Sequence, residues 1–283
     1  MKTTHFLTCF AILSTLWICS CSSDPEIIEP EGPPAPFINQ QDMEALRAIY
    51  KEGGGEYWDV PWDLSDSTKW AGVSARLVNP ETNEYRIYWL HIVCNKNYQV
   101  GVLSKEIEKL TELQILYIDG EGIGGELPST LSNLKELREL SFINTSFRGK
   151  IPEGIVSLPN MRFFKLINCN LSGELPKDIT ETAPSLLQMD LSLNNLSGKI
   201  PSGLKARYLN LEYNNFTEYP YEYLPANKEI EYEGPAVLMR YNKINGLIPD
   251  SILNSESGLN YVSLLIDPQK KGYGPSNYPK ENF

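Results

Sequence analysis

The chain has 283 residues, of which 41% are hydrophobic, and a formal net charge of −11 at pH 7. The hydrophobic share is typical of a soluble fold, and the length requires no more than one domain with its terminal caps. A surface this acidic repels nucleic acids and anionic lipid headgroups, so neither is expected as a partner.

Residues 1–20 predict a cleaved export signal. Lys2 gives a positive start, and the apolar run over residues 6–18 is too short for a membrane-spanning helix. The run ends in the tetrapeptide Ile-Cys-Ser-Cys at residues 18–21, which resembles the cleavage box of bacterial lipoprotein signal peptides. The resemblance implies a lipid on Cys21. An ordinary secretory peptide with incidental cysteines is the alternative.

Residues 21–38 are rich in proline and acidic side chains, which predicts an extended, semi-rigid tether. Serine and acidic residues just after Cys21 resemble the export tag that takes some Gram-negative lipoproteins to the outer face of the cell. We therefore expect an outer membrane lipoprotein, exposed at the cell surface and in contact with the membrane through its N-terminal lipid only.

Residues 39–84 predict an N-terminal cap. The pattern from Asn39 to Glu52 is helical, with Asn39 as the N-cap and three glycines at residues 53–55 as the stop. The apolar face of this helix carries Met43, Leu46, Ile49 and Tyr50. Residues 79–85 predict a hairpin turn before the first repeat strand.

Three tryptophans follow the helix, namely Trp58, Trp62 and Trp70. They predict aromatic packing that covers the exposed edge of the first repeat, because repeat proteins need such a cap. A sugar-binding platform is the alternative.

A pattern L-x-x-M-x-L-x-x-N-N-L-x-G-x-I-P at residues 186–201 recurs along most of the chain. Positions equivalent to Asn194 recur every 20 to 28 residues, a spacing typical of solenoid repeats. Apolar residues three and five positions earlier alternate as in a half-buried strand, so each unit supplies one strand to a parallel sheet. The equivalent positions are Asn97, Glu121, Thr145, Cys169, Asn194, Asn214, Asn242 and Asp267.

These units resemble the leucine-rich repeat family, in the subtype best known from plant receptor ectodomains, over about eight units at residues 85–267. The resemblance implies an α/β solenoid: a leucine-rich repeat right-handed superhelix with a parallel concave sheet, an irregular convex side and a helical N-terminal cap. The segment from Trp70 to Val73 resembles the W-x-G-V of that cap. Thr68 and Ala75 stand where the family has paired cysteines, so aromatic packing must close this end.

The reference residue lies where the chain turns out of its strand and buries backbone groups that need partners. An asparagine amide both donates and accepts, so Asn194, Asn214 and Asn242 predict a buried ladder. Cys169 is a variant that the family tolerates. Glu121 and Thr145 depart from the pattern, so the prediction does not extend to the early repeats.

Cys94 and Cys169 are the cysteines that remain after export and lipidation. On the repeat register they lie three strands apart, about 14 Å, whereas a disulfide needs Cα atoms within about 7 Å. We expect two buried free thiols.

Catalytic and metal-binding motifs are missing from the sequence, and His91 is expected within or beside the first repeat strand. Asp190 and Glu212 could form a glycosidase dyad. On the register, however, they occupy neighbouring strands of an open sheet that lacks an evident water-excluding pocket. We therefore expect no enzymatic activity, cofactor or metal.

The outward residues of the concave sheet are the expected binding surface. Apolar side chains lie there beside tyrosine, arginine and acidic groups, a composition suited to protein recognition. They are Ile143, Phe163, Lys165, Ile167, Asp190, Tyr208, Glu212, Tyr213, Arg240 and Tyr241. A protein or peptide that binds a monomer is the first expectation. The alternatives are a glycan stacked on the tyrosines and Phe163, or a structural role in the envelope.

The regularity decreases after Asn214. Residues 218–234, rich in Tyr, Pro and Glu, lengthen one unit, and they form either a binding loop or a tolerated insertion. Residues 268–283 predict an irregular C-terminal tail over the last repeat.

Overall fold

The computed structural model describes residues 35–95, 100–181, 186–201, 206, 208–218, 236–248, 250, 269–274 and 276. The predictions for the export signal, Cys21, most of the tether, the insertion beyond residue 218, the repeat position Asp267 and most of the tail lie outside these residues.

The regular elements with both ends in the described residues include helix α1 and short strands, which we number in chain order. They are β1 (Phe37–Ile38), α1 (Gln40–Glu52), β2 (Val73–Asn79), β3 (Glu84–Val93), β4 (Gly101–Val102), β5 (Ile115–Asp119), β6 (Ile123–Glu126), β7 (Glu139–Ile143), β8 (Ser146–Arg148), β9 (Phe163–Ile167), β10 (Ser172–Gly173), β11 (Gln188–Asp190), β12 (Asn195–Lys199), β13 (Tyr208–Asn210), β14 (Asn215–Glu218) and β15 (Ala236–Leu238).

One nine-stranded sheet organises the molecule, in the order β1-β3-β5-β7-β9-β11-β13-β15, with β2 also paired to β3. Each repeat adds one strand parallel to the previous one. The single antiparallel pairing among the described strands is the hairpin β2–β3, whose turn lies within the predicted residues 79–85. This is the predicted α/β solenoid with its parallel concave sheet.

Burial alternates along the concave strands β5, β9 and β13, as the repeat pattern predicts. In β9, Phe164 and Leu166 are buried, whereas Phe163, Lys165 and Ile167 are half-buried on the concave side. The inward residues form one continuous core from α1 to the last described repeat. Each fully buried leucine or phenylalanine contributes about 1.5–3 kcal/mol relative to an exposed one, so stability comes from the packing of each repeat on its neighbours.

Shorter strands follow the reference residues and form two three-stranded parallel sheets, β4-β6-β8 and β10-β12-β14. Five-residue 3-10 turns such as Lys105–Lys109 and Ser129–Asn133 connect them to the next concave strand. None of the helices in the described ranges has the length and apolar character needed to cross a membrane.

Helix α1 has the predicted ends. The Asn39 side chain accepts a hydrogen bond from the Gln41 N–H at 2.9 Å, and the Gly53 N–H donates to the Ile49 carbonyl oxygen at 2.9 Å. One buried residue was not predicted, because Asp42 in the first turn has no exposed surface. Its carboxylate accepts two hydrogen bonds from the Arg86 guanidinium of β3, at 2.9 and 3.0 Å.

The three tryptophans are part of the core. Trp58, Trp62 and Trp70 are each 5% exposed. Trp62 stacks on Trp70 with ring centroids 4.9 Å apart and meets the edge of Trp58 at 5.1 Å. Each indole N–H donates to a backbone carbonyl oxygen. The rings therefore pack the N-terminal end, and the alternative of an exposed sugar platform is wrong for them.

Candidate ligand-binding face

The concave side chains lie in three rows that run across the strands, because the strand register places equivalent positions side by side. The first row contains Trp89, Ile115, Glu139, Phe163, Gln188 and Tyr208, and the second contains His91, Tyr117, Ser141, Lys165, Asp190, Asn210 and Leu238. The third contains Val93, Asp119, Ile143 and Ile167, with Ser192, Glu212 and Arg240 at the same repeat position.

An apolar patch lies in the middle of this face. Ile143, Phe163 and Ile167 are half-buried there. The Lys165 ammonium lies 5.4 Å from the centroid of the Phe163 ring and 3.6 Å from a carboxylate oxygen of Glu139. A cation over an aromatic ring and an ion pair both hold the lysine across the patch. The charges within and beside the patch are therefore already paired.

Asp190 and Glu212 are only 7% and 8% exposed. Asp190 accepts hydrogen bonds from the Ser192 hydroxyl at 2.6 Å, the Ser192 N–H at 3.0 Å and the Asn210 amide at 3.1 Å. Glu212 is paired with Arg240, and this hydrogen bond raises the pKa of the arginine. Both carboxylates thus position neighbouring side chains, which leaves neither free to act in the dyad considered from the sequence.

Tyr208 lies in the first row on β13, next to the strand that carries Asp190 and two strands from Phe163. Burial raises the pKa of its phenol, and the negative charges of Asp190 and Glu212 raise it further. The hydroxyl therefore stays protonated at neutral pH and can donate a hydrogen bond to a ligand.

An aromatic cluster at the N-terminal end of the face was not predicted. The His91 ring meets the edges of Trp89 and Tyr117 at centroid distances of 5.8 and 5.7 Å. Burial lowers the pKa of His91, and the Asp119 charge opposes this shift. His91 lies in β3, as expected. The cluster could have been predicted by applying the outward repeat positions to the first two repeats, because Trp89, His91 and Tyr117 occupy those positions.

A fourth row lies immediately before the reference residues, at the edge where the chain leaves the concave sheet. It contains Gly120, Asn144, Asn168, Leu193, Tyr213 and Tyr241. The Tyr213 and Tyr241 rings stack with centroids 4.3 Å apart and planes 14° apart. These two predicted residues therefore lie beside the three rows and not within them.

The buried amides behind the fourth row form hydrogen bonds from repeat to repeat. Asn194 Oδ1 accepts from the N–H groups of Cys169 and Leu171 at 3.1 and 3.0 Å, and its Nδ2 donates to the Leu166 carbonyl oxygen at 2.7 Å. Asn214 and Asn242 make equivalent bonds. The amide links each repeat to the one before it.

The ladder continues at a residue that the sequence reasoning missed. Gln269 Oε1 accepts from the Ile244 N–H at 3.0 Å, and its Nε2 donates to the Met239 carbonyl oxygen at 3.1 Å. The repeat spacing pointed to Asp267, two residues earlier. A longer side chain carries the same amide, so a search for asparagine alone could not find it.

Cys94 and Cys169 are buried. The Cys169 sulfur lies 3.3 Å from the Phe142 carbonyl oxygen, the contact that an asparagine amide makes one repeat later. Burial raises the pKa of both thiols to about 11, so the reactive thiolate is scarce at neutral pH. Within the described ranges, no group of three or more His, Cys, Asp or Glu side chains could hold a metal ion.

No protein-family model matches the sequence, and no curated protein is significantly similar to it. Solved structures do match. The LRR ectodomain of the receptor kinase SOBIR1 from Arabidopsis thaliana is 25% identical, with a TM-score of 0.53 over 66% of this chain and 99% of that one. The PEPR1–AtPEP1 structure is 23% identical, with a TM-score of 0.56 over 76% of this chain and 30% of that one.

A TDR receptor is 32% identical over 55% of this chain and 27% of that one, with a TM-score of 0.47. The chain thus spans less than a third of the TDR receptor and PEPR1 chains that it matches. The similarity to the SOBIR1 ectodomain and to PEPR1 agrees with the strand order, and together they establish a leucine-rich repeat fold.

Proposed function

We propose that this chain is a non-enzymatic lipoprotein on the surface of a Gram-negative cell and that its concave face binds a protein or peptide ligand. The observation that carries the proposal is the apolar patch in the middle of the concave face, whose interleaved charges are already paired. Aromatic and apolar side chains among paired polar groups are common at protein-recognition surfaces. The broad open sheet suits an extended partner with many weak contacts.

The charge of the face narrows the kind of ligand. Four carboxylates and two basic side chains lie in the three rows, so the formal charge is 2 − 4 = −2. Charge complementarity favours a basic partner, whose rate of association should fall as the salt concentration increases. The charged residues are Asp119, Glu139, Asp190, Glu212, Lys165 and Arg240.

We expect Phe163→Ala to weaken ligand binding by about tenfold or more, because an aromatic anchor in a partly desolvated patch is typical of binding hot spots. Arg240→Ala should weaken it as well. The ligand is first enriched from host and bacterial surface extracts on immobilised protein, identified by mass spectrometry and then titrated against each variant. Arg148→Ala, an exposed change in β8 outside the three rows, is the matched control.

Treatment of the extract with glycosidases separates the alternatives. A protein ligand should survive the treatment, whereas a captured glycan should be lost and should compete with free sugar. If a confirmed interaction tolerates both Phe163→Ala and Arg240→Ala, the three rows are not its site. Without any specific recovery, a structural role in the envelope is favoured.

The membrane anchor is a separate part of the proposal and rests on the sequence of residues 18–21. In a Gram-negative host fed an alkyne-tagged fatty acid, the chain should be labelled and should sediment with outer membranes. Cys21→Ser should abolish both properties, while Cys19→Ser should leave both intact. Label that persists in Cys21→Ser would contradict the assignment, and unlabelled, released wild type would favour an ordinary secretory peptide.

A further inference from the structure

The fourth row has an unusual backbone. Asn144, Asn168, Leu193, Tyr213 and Tyr241 all have φ between 53° and 59°, in the left-handed region. Asparagine adopts this conformation readily, whereas leucine and tyrosine do so at an energetic cost. Leu193 and Tyr213 are also 46% and 44% exposed. Core packing therefore does not explain why large side chains occupy these positions, and strain of this kind is typical of functional sites.

A cleft of about 490 Å³ opens along this row, and its walls are mainly amides and hydroxyls. We call it the amide cleft. The lining residues that matter here are Asn144, Asn168, Asn170, Asn195, Leu193 and Tyr213.

Two asparagine pairs form one wall of the amide cleft. Asn168 Nδ2 donates to Asn144 Oδ1 at 2.9 Å, and Asn195 Nδ2 donates to Asn170 Oδ1 at 2.9 Å. The other amide atoms of the first pair, Asn144 Nδ2 and Asn168 Oδ1, make no hydrogen bond in the part of the chain that the structure describes. The same holds for Asn170 Nδ2 and Asn195 Oδ1 of the second pair. Each pair thus holds its amides in place and still offers one donor and one acceptor to a ligand.

An aromatic ring forms the end of the cleft. Tyr213 lines it, whereas Tyr241 does not. Tyr241 stacks on one face of the Tyr213 ring. A ligand in the cleft can therefore contact only the part of the Tyr213 ring that Tyr241 leaves uncovered. With Leu193 beside it, Tyr213 adds an apolar wall next to the amide wall.

We propose that the amide cleft binds a neutral carbohydrate chain, with a sugar ring against Tyr213 and its hydroxyls on the asparagine pairs. A sugar hydroxyl donates and accepts at once, which matches an amide donor held beside an amide acceptor. The C–H face of a sugar ring is apolar and packs on an aromatic ring. The lining contains the carboxylate of Glu121 and no lysine, arginine or histidine, so an anionic ligand would lack a cationic partner.

This site is distinct from the three rows that carry the proposed protein binding. Phe163 and Tyr208, also considered as sugar platforms from the sequence, lie in the first row. Tyr208 belongs to the first row, whereas Tyr213 belongs to the fourth, beyond the end of β13. The amide pairs lie on the Tyr213 side.

The test titrates the full chain in detergent with neutral hexasaccharides of glucose, galactose, mannose, xylose or N-acetylglucosamine, by isothermal calorimetry. At least one should bind, and Tyr213→Asn should weaken that binding by about tenfold or more. Asparagine tolerates the left-handed backbone, so this variant removes the ring without a loss of thermal stability. Tyr213→Phe keeps the ring and should retain the affinity, and Phe163→Ala is the control outside the cleft.

Failure of every neutral hexasaccharide to bind overturns the proposal, as does unchanged affinity in Tyr213→Asn. If Tyr213→Asn instead abolishes capture of a protein ligand while no sugar binds, the fourth row belongs to the protein-binding face and the carbohydrate site does not exist. Sugar binding that survives Phe163→Ala while protein capture is lost supports two separate sites.

Discussion

Replacement of Arg86 by methionine is expected to lower the free energy of unfolding by about 3–5 kcal/mol. The reason is that Asp42 has no exposed surface and receives both hydrogen bonds of the Arg86 fork, besides one from the Ile87 N–H at 2.8 Å. Without the guanidinium, a buried carboxylate is left without its countercharge. The loss should be measured by urea unfolding followed by circular dichroism.

The control for this change is Lys199→Met. Lys199 and Glu218 form an ion pair whose side chains are 72% and 54% exposed, and exposed pairs contribute between zero and about 1 kcal/mol. Equal losses in the two variants would mean that the buried pair does not hold α1 against β3. Loss of the Arg86 pair should also loosen the N-terminal cap more than the rest of the chain. In the Arg86 variant, the amide hydrogen-exchange rates should therefore rise more in α1 than in the later repeats.

Asn194→Ala should destabilise the protein by about 3 kcal/mol or more, since each buried donor or acceptor that loses its partner costs about 1–3 kcal/mol. The side chain satisfies two buried N–H groups and donates to three carbonyl oxygens across two repeats. Alanine leaves these groups without the partners that the amide supplies. Urea unfolding and faster exchange of the Leu171 amide should both report the loss.

The next residue in the chain is a matched control for that experiment. Asn195 is exposed, and its side chain makes one hydrogen bond, to Asn170. Asn195→Ala should therefore change the free energy of unfolding by less than about 1 kcal/mol. If the two alanine variants are equally stable, the buried amide is not what links the repeats.

Much of the architecture could be predicted from the sequence because its signals are local and repeated. The recurring asparagine set the register, the register set which side chains alternate outward, and the residues of the three rows follow from that alternation. The ends of α1 were predictable for the same reason, since Asn39 and the glycines after Glu52 act on their immediate neighbours.

The rest depends on contacts between distant residues or on conformations that the residue type disfavours. The ion pair of Asp42 and Arg86 joins residues 44 positions apart. The sequence around each residue contains no pattern that indicates this pairing. Leu193 and Tyr213 adopt a left-handed backbone that their side chains oppose. The sequence offered Asp190 and Glu212 as free acids because their partners, Asn210 and Arg240, come from the next repeat.

The tryptophan cluster at the N-terminal end has a consequence for how the protein matures. Stacked indoles occupy the end that paired cysteines close in similar plant repeats, where this chain has Thr68 and Ala75. No oxidant is then required to lock the cap. We therefore expect the cap to form equally in reducing and oxidising surroundings, without the enzymes that make disulfides.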